Sequence, residues 1–194
     1  MSRDRQTFGS GRQRSMTARI RCWKAGPTEI SCHFAIRHRI FVEEQGVMVF
    51  TDMDRWDENP STVHVVAARG AQMAGAVRLY PLDDEGRWKG DRLAVLPDHR
   101  ASLVGARLVR FAVATAAAAG GIRMEASVQA PNARFFERLG WCRDGDIGSY
   151  HGLPHQPMAI DLLGVPAMAD ERPGSIELRL PVAQSAPSPL LAVS

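Results

Sequence analysis

Asp91-Arg-Leu-Ala-Val-Leu-Pro-Asp-His-Arg-Ala-Ser-Leu-Val-Gly-Ala-Arg-Leu-Val109 is the stretch whose reading decides the fold. Leu93 to Leu96 form a continuous apolar run, as in a buried strand, and Pro97 terminates it. Asp98 to Ser102 make a polar loop. From there Val104, Leu108, Phe111, Ala112 and Thr115 recur at helical spacing. The first N–H groups of a helix have no partner within it, and its dipole favours negative charge at that end. Arg100, just before the helix start, adds a forked positive charge. The expected ligand of this loop is a phosphate or pyrophosphate.

Ahead of this unit, Ala18 to Trp23 alternate as a strand, and Gly26-Pro27 break it. Thr28 is placed to cap a helix carrying Ile30, Phe34, Ile36, Ile40 and Phe41 as an apolar stripe, with His and Arg beside it and Gly46 as its stop. Residues 46–61 form an acidic loop. Thr62 to Arg69 and Gln72 to Tyr80 read as two strands joined at Gly70, and Pro81 to Gly90 as a polar connection. After the helix stop at Gly120-Gly121, Ile122 to Val128 give a fifth strand. Pro131 and Asn132 open a short helix ending at Gly140, and Trp141–Cys142 and His155–Leu162 supply the last strands. This order suits an α/β class, with α+β character: a mixed sheet with helices on both faces. Residues 1–17 are expected as a disordered basic N-terminal arm, 18–163 as one domain and 164–194 as a flexible Pro/Ala/Ser-rich tail, with a brief alternation at Ile176 to Leu180.

Of the 194 residues, 45% are hydrophobic and 23% charged, the balance of an ordinary globular chain with room for a sizeable core. The net charge is +3, with Arg3, Arg5, Arg12, Arg14, Arg19 and Arg21 crowded at the start. No aromatic interleaving or nucleic-acid-binding motif accompanies them, so nucleic acid is not an expected partner. No apolar run approaches a membrane span, and no secretory segment is read. Cys22, Cys32 and Cys142 have no paired spacing, which argues against a disulfide framework or zinc site and for a reducing, cytoplasmic setting.

The 91–109 unit resembles the acyl-CoA-binding segment of the GNAT superfamily of N-acetyltransferases, Arg/Gln-x-x-Gly-x-Gly/Ala after a strand ending in Val-x-Pro. Arg100 and Gly105 match its ends, and Leu103 stands where the family has its first glycine. Asn132-Ala-Arg-Phe-Phe-Glu-Arg-Leu-Gly-Trp141 is similar to the family's Asn-x-x-x-x-Phe-Tyr-Glu-Lys-Leu-Gly-Phe, with Phe136 in the place of the proton-donating tyrosine. Arg37-His-Arg-Ile-Phe-Val-Glu-Glu-Gln-Gly-Val47 and Asp52-Met-Asp-Arg-Trp-Asp57 resemble the first helix and loop of a GNAT subgroup. They also resemble the acyl-homoserine-lactone synthases, whose Arg-x-x-x-Phe, Asp-x-x-Asp and Gly-x-x-Arg-Leu are met by Arg37 with Phe41, Asp54 with Asp57, and Gly75 to Leu79. The Asp91-Arg-Leu-Ala-Val95 stretch is similar to a bacterial GNAT group associated with nitrogen metabolism.

The resemblance implies the GNAT fold: a mostly antiparallel sheet of six to seven strands, splayed at the fourth and fifth. It implies acetyl-CoA as donor, a small-molecule amine as acceptor, direct attack in a ternary complex, and no metal. A homodimer is a further expected assembly. The cofactor surface it implies comprises Leu93, Ala94, Val95, Arg100, Ser102, Leu103, Val104, Gly105, Ala106, Asn132, Phe135 and Arg138. The attacking amine must lose a proton to a carboxylate or imidazole, and the oxyanion needs a donor such as a backbone N–H of Leu93 to Val95. Glu44, near the end of the first helix, is the first candidate base, or else a surface carboxylate; Asp91 is the next. Tyr150, Cys142 and His155 are candidate acids. His151 and His155 flank a Pro-containing turn at a spacing poorly suited to metal. Asp54, Asp57, Arg78 and Gln129 are the acceptor-side candidates, with the two aspartates either binding a cationic substrate or pairing with Arg37, Arg39 or Arg55. Two other readings are lactone-forming acyl transfer to S-adenosylmethionine, with acyl-carrier protein as partner, and a non-catalytic module that binds CoA or an acyl group.

Overall fold

The computed structural model describes residues 18–173, so the basic arm at 1–17 and the alternation at 176–180 lie outside the described residues. Eight strands form one sheet: β1 (Ile20–Lys24), β2 (Val63–Arg69), β3 (Gln72–Pro81), β4 (Arg87–Val95), β5 (Arg123–Gln129), β6 (Cys142–Arg143), β7 (Gly148–Tyr150) and β8 (Leu153–Asp161). Their order is β1-β2-β3-β4-β5-β8-β6, with β7 also on β8. Every pairing is antiparallel except β4 with β5.

Helices cover both faces. On one lies α1 (Ile30–His38), whose Ile36, with Ile40 beyond it, packs on Trp23, Val66, Met73, Ala76, Ala94 and Leu96. On the other lie α2 (Val104–Ala118) and α3 (Ala133–Glu137), with Leu108, Phe111, Ala112 and Phe136 against Val65, Val77, Leu79, Met124 and Val128. The apolar stripe of α2 forms as its spacing predicts. Its approach to the sheet is close: a Cβ at Gly75 would sit 2.7 Å from the Ala94 carbonyl oxygen and 2.9 Å from a Leu108 methyl. That absent side chain sets how deeply the start of α2 beds on β3 and β4.

Four expectations need correction. The segment 81–90 is not all connection, because β4 begins at Arg87 and pairs with both neighbours. The sheet has eight strands rather than six to seven; β7 and β8 form a hairpin turned by His151 and Gly152, both with positive φ, as a two-residue primed turn requires. Thr28 does not cap α1. Glu29 holds the cap position, and its carboxylate accepts the Gly26 N–H at 2.8 Å. The first helix also changes character at Arg39 and runs as a π-helical turn to Glu44, a form often found near functional sites. Beyond β8, Asp170, Glu171 and Arg172 return to β1, where the Glu171 N–H donates to the Cys22 carbonyl and its carboxylate meets Arg19 and Arg107.

Candidate active site

β4 and β5 pair only from Arg87–Arg123 to Lys89–Glu125. Beyond that β4 stays with β3, while β5 follows β8 as far as Gln129–His155. Two strand edges therefore face each other with unpaired peptide groups, and such groups require a partner. The opening between them is a cavity of about 480 Å³. On its β4 side the register slips: Ala76 pairs with Ala94 and Arg78 with Asp91, so Val77 alone opposes Arg92 and Leu93. Arg92 has φ +52, far from a strand value. This is a β-bulge, which leaves a residue out of the ladder and re-aims its peptide groups.

On the α1 side of the sheet the cavity wall is ionic. Arg78, fully buried, donates to both oxygens of Asp54 at 2.7 and 2.8 Å and to both oxygens of Asp91 at 2.8 and 2.7 Å. It also lies 2.8 Å from Asp57. Arg37, equally buried, bonds Asp52 and both oxygens of Asp57. Arg92 reaches Asp54 at 3.1 Å. Burial alone would raise the Asp57 carboxyl; the Arg37 hydrogen bond, an Asp54 backbone bond and the two arginine charges outweigh it and hold the group well below the usual carboxylate range. Asp54 is lowered in the same way, burial being overcome chiefly by Arg78. Asp54 and Asp57 thus pair with arginines, Asp57 with Arg37 and both with Arg78. Trp56 stacks on Tyr80 at 4.2 Å, and both line the cavity with Asp54 and Asp91.

Behind Arg37 sits His33, also fully buried. Its Nδ1 lies 3.2 Å from the Val65 carbonyl, which can only accept, so Nδ1 carries the proton and Nε2 accepts from Arg37 and from His64 Nδ1. Burial first, then the Arg37 charge, keeps the His33 imidazole well below its ordinary value.

At the mouth, the first intrahelical bond of α2 runs from the Arg107 N–H to the Leu103 carbonyl, so the Gly105 and Ala106 N–H groups precede the ladder. Leu103 has φ −82, needing no glycine, and its side chain is 71% exposed, pointing away from the fold. Gly105 borders Val95 and Phe135 at ordinary contact distance. Ser102 spends its hydroxyl on the His99 carbonyl. Arg100 is engaged as well, its Nη2 donating to both oxygens of Glu44 at 2.7 and 2.8 Å. Glu44 therefore lies beside the loop that leads into α2 and not among the cavity-lining residues, which include Asp54, Asp91, Arg92, Leu93, Gln129, Asn132, Tyr150 and His155. Gln45, next to Glu44, accepts from Gln129 at 3.0 Å. Ala94 turns to the α1 side, where it is buried, and Arg138 is exposed at the end of α3.

His155 stands opposite Gln129, with its Nδ1 2.9 Å from the Leu153 carbonyl. By the same argument Nδ1 is the donor, so that in the neutral ring the lone pair lies on Nε2. Tyr150 meets it edge-on at 5.5 Å. Phe136 is buried in the core against Trp141, with no proton to give. The sequence singled out Asp91, Tyr150 and His155, and the fold brings them to one cavity; Trp56 and Tyr80, which also line it, the sequence did not single out.

Residues 30–141 match the sequence profile of the acetyltransferase (GNAT) family. Among solved structures, Escherichia coli ElaA is 19% identical, with 73% of this chain and 98% of that one aligned at a TM-score of 0.64. An acyl-CoA N-acyltransferase from Pseudomonas aeruginosa is 22% identical over 74% of this chain and 99% of its own, at 0.63. The acyl-homoserine lactone synthase BjaI, solved with SAM and isopentyl-CoA, is 20% identical over 76% and 84%, at 0.61. These likenesses are ones of fold.

Proposed function

The chain belongs to the acetyltransferase (GNAT) family and is an acyltransferase, and from that premise we propose that it moves an acyl group from a coenzyme A thioester, acetyl-CoA among them, to the amine of a small molecule. The observation that carries this reading is the pair of facing, unpaired strand edges of β4 and β5 next to the start of α2. An extended arm bearing amides satisfies such edges as a strand would. The N–H groups of Gly105 and Ala106, with Arg100 once Glu44 releases it, suit a pyrophosphate.

The remaining groups divide the chemistry. Arg92 and Leu93 of the bulge line the cavity, and a peptide N–H there would support a carbonyl oxygen as it gains charge. Three arginines against four aspartates leave the ionic wall one net negative charge, which draws an ammonium. Asp54, held as an anion by Arg78, is a weak base. His155, whose neutral ring would carry its lone pair on Nε2, is the better one, and Tyr150 beside it is placed to return a proton to the departing thiolate.

The test is release of free CoA thiol from acyl-CoA in the presence of an amine panel. Turnover with one or more amines, and a fall in kcat of about 10²-fold or more in His155→Gln with acyl-CoA affinity retained, would support the assignment. An unchanged kcat in that variant would move the base elsewhere. Absence of amine-dependent thiol release would overturn acyl transfer to amines.

A second reading has a specific observation in its favour. Arg37, Asp54, Asp57 and Arg78, the residues that match the acyl-homoserine-lactone-synthase pattern, join in one network. Its net negative charge would suit a sulfonium as well as an ammonium. Under that reading acyl-carrier protein binds and acetyl-CoA is a poor donor.

A further inference from the structure

The cavity has two unlike halves. Side chains alternate across the strands, so Asp91 and Gln129 face the α1 side with the ionic wall. Val109 and Ala112 of α2, Met124 and Ala126 of β5, Phe136 and Trp141 close the other half and belong to the core on the α2 side. That half presents carbon, and an ammonium or a hydroxyl placed there would lose its water without replacement.

Its position along the strands fixes what can reach it. Gly105, at the start of α2, borders Val95. Moving back along β4, the bulge at Arg92 and Leu93 comes next, level with Asp91. Past it the strands close at the Lys89–Glu125 pair, followed by Trp88–Met124. The floor there is the Met124 methyl, 2.6 Å from where a Cβ on Gly90 would stand. A thioester whose phosphates lie at the start of α2 and whose carbonyl meets the bulge has its acyl chain beyond the bulge, in the carbon-lined half.

We propose that this half is an acyl-chain chamber and that the favoured donor carries an aliphatic acyl group longer than acetyl. The proposal rests on the acyl-CoA reading above and names the donor class of the same site. A single acetyl methyl leaves most of the apolar wall uncovered, whereas each further methylene buried there gains roughly fourfold in affinity.

The experiment is calorimetric titration of the full chain with CoA and with acetyl-, butanoyl-, hexanoyl- and octanoyl-CoA. Wild type should bind butanoyl-CoA about fifteenfold more tightly than acetyl-CoA, two methylenes at the rate above, and gain further until the chamber is full. Ala112→Leu, which adds bulk to the chamber wall, should remove most of that gain. Met124→Ala, which lowers the floor, should carry the gain to a longer chain. Should Ala112→Leu fail to fold, the wild-type and Met124→Ala series decide the matter. Equal or weaker binding of the longer chains in wild type would overturn the chamber while leaving the CoA site standing. No binding of CoA or any thioester would overturn the CoA site and the chamber with it.

Discussion

Replacing Glu44 by glutamine separates two roles for that residue, because they predict effects of different kind and size. Glu44 occupies the guanidinium that a pyrophosphate would use, through two contacts of 2.7 and 2.8 Å. Both side chains are more than a third exposed, so solvent screens the pair; exposed pairs of this kind are worth about 0.2–1 kcal/mol. A phosphate must displace Glu44 to reach Arg100. Removing the carboxylate charge should therefore tighten CoA binding by that amount, about 1.4- to 5-fold in Kd, and leave kcat nearly unchanged. The gain should shrink as salt rises, since the competition is electrostatic. It should vanish in an Arg100→Ala background, where there is no guanidinium to release. Titration calorimetry at two ionic strengths, with steady-state kinetics alongside, reads all three. A kcat loss of about 10²-fold or more with Kd unmoved would refute this reasoning and restore Glu44 as the base.

Other consequences concern the network and the packing. Arg78→Met should destabilise the fold by about 3–5 kcal/mol, since Asp54, Asp57 and Asp91 lose a fully buried cation; with roughly 2–4 °C lost per kcal/mol, a thermal melt within a degree or two of wild type would contradict it. Gly75→Ala should cost about 1–3 kcal/mol by driving a Cβ against the Ala94 carbonyl of β4 and the Leu108 methyl of α2, and denaturant titration checks this. His33, held neutral by burial and by Arg37, binds no proton in the fold near pH 6, whereas the unfolded chain binds one as pH falls through about 6.5. Its stabilisation is complete above that value and is lost as pH falls toward the depressed folded value. Melts of His33→Gln between pH 7 and 5 should show a pH slope shallower than wild type by up to about 1.4 kcal/mol per unit; equal slopes would show that His33 does not titrate differently on folding.

The unit from Leu93 to Val109 was readable because each of its parts carries a local signal: an uninterrupted apolar run, a proline that ends it, and a helical period. The first half of β4 was not. Arg87, Lys89 and Asp91 make its sequence look polar, and only the pairing with β3 and β5 shows that Trp88 and Gly90 turn inward. The bulge at Arg92 had no glycine to announce it. His33 and Arg37, four apart on α1, read as residues beside the stripe. They are buried because Asp52, Asp57, His64 and the Val65 carbonyl, distant in sequence, meet them there. The Glu44–Arg100 contact spans 56 residues and has no sequence signature at all. The motifs pointed to a neighbourhood; which groups are already paired in it came from tertiary contacts.

The most direct test of the account is calorimetric titration with acetyl-CoA and, in parallel, with acetyl-pantetheine, which lacks the phosphates. The account predicts micromolar binding of acetyl-CoA that weakens at least tenfold without the phosphates and similarly in Arg100→Ala. Absence of binding, or binding indifferent to both changes, would contradict the claim that the β4–β5 opening and the start of α2 form an acyl-CoA site.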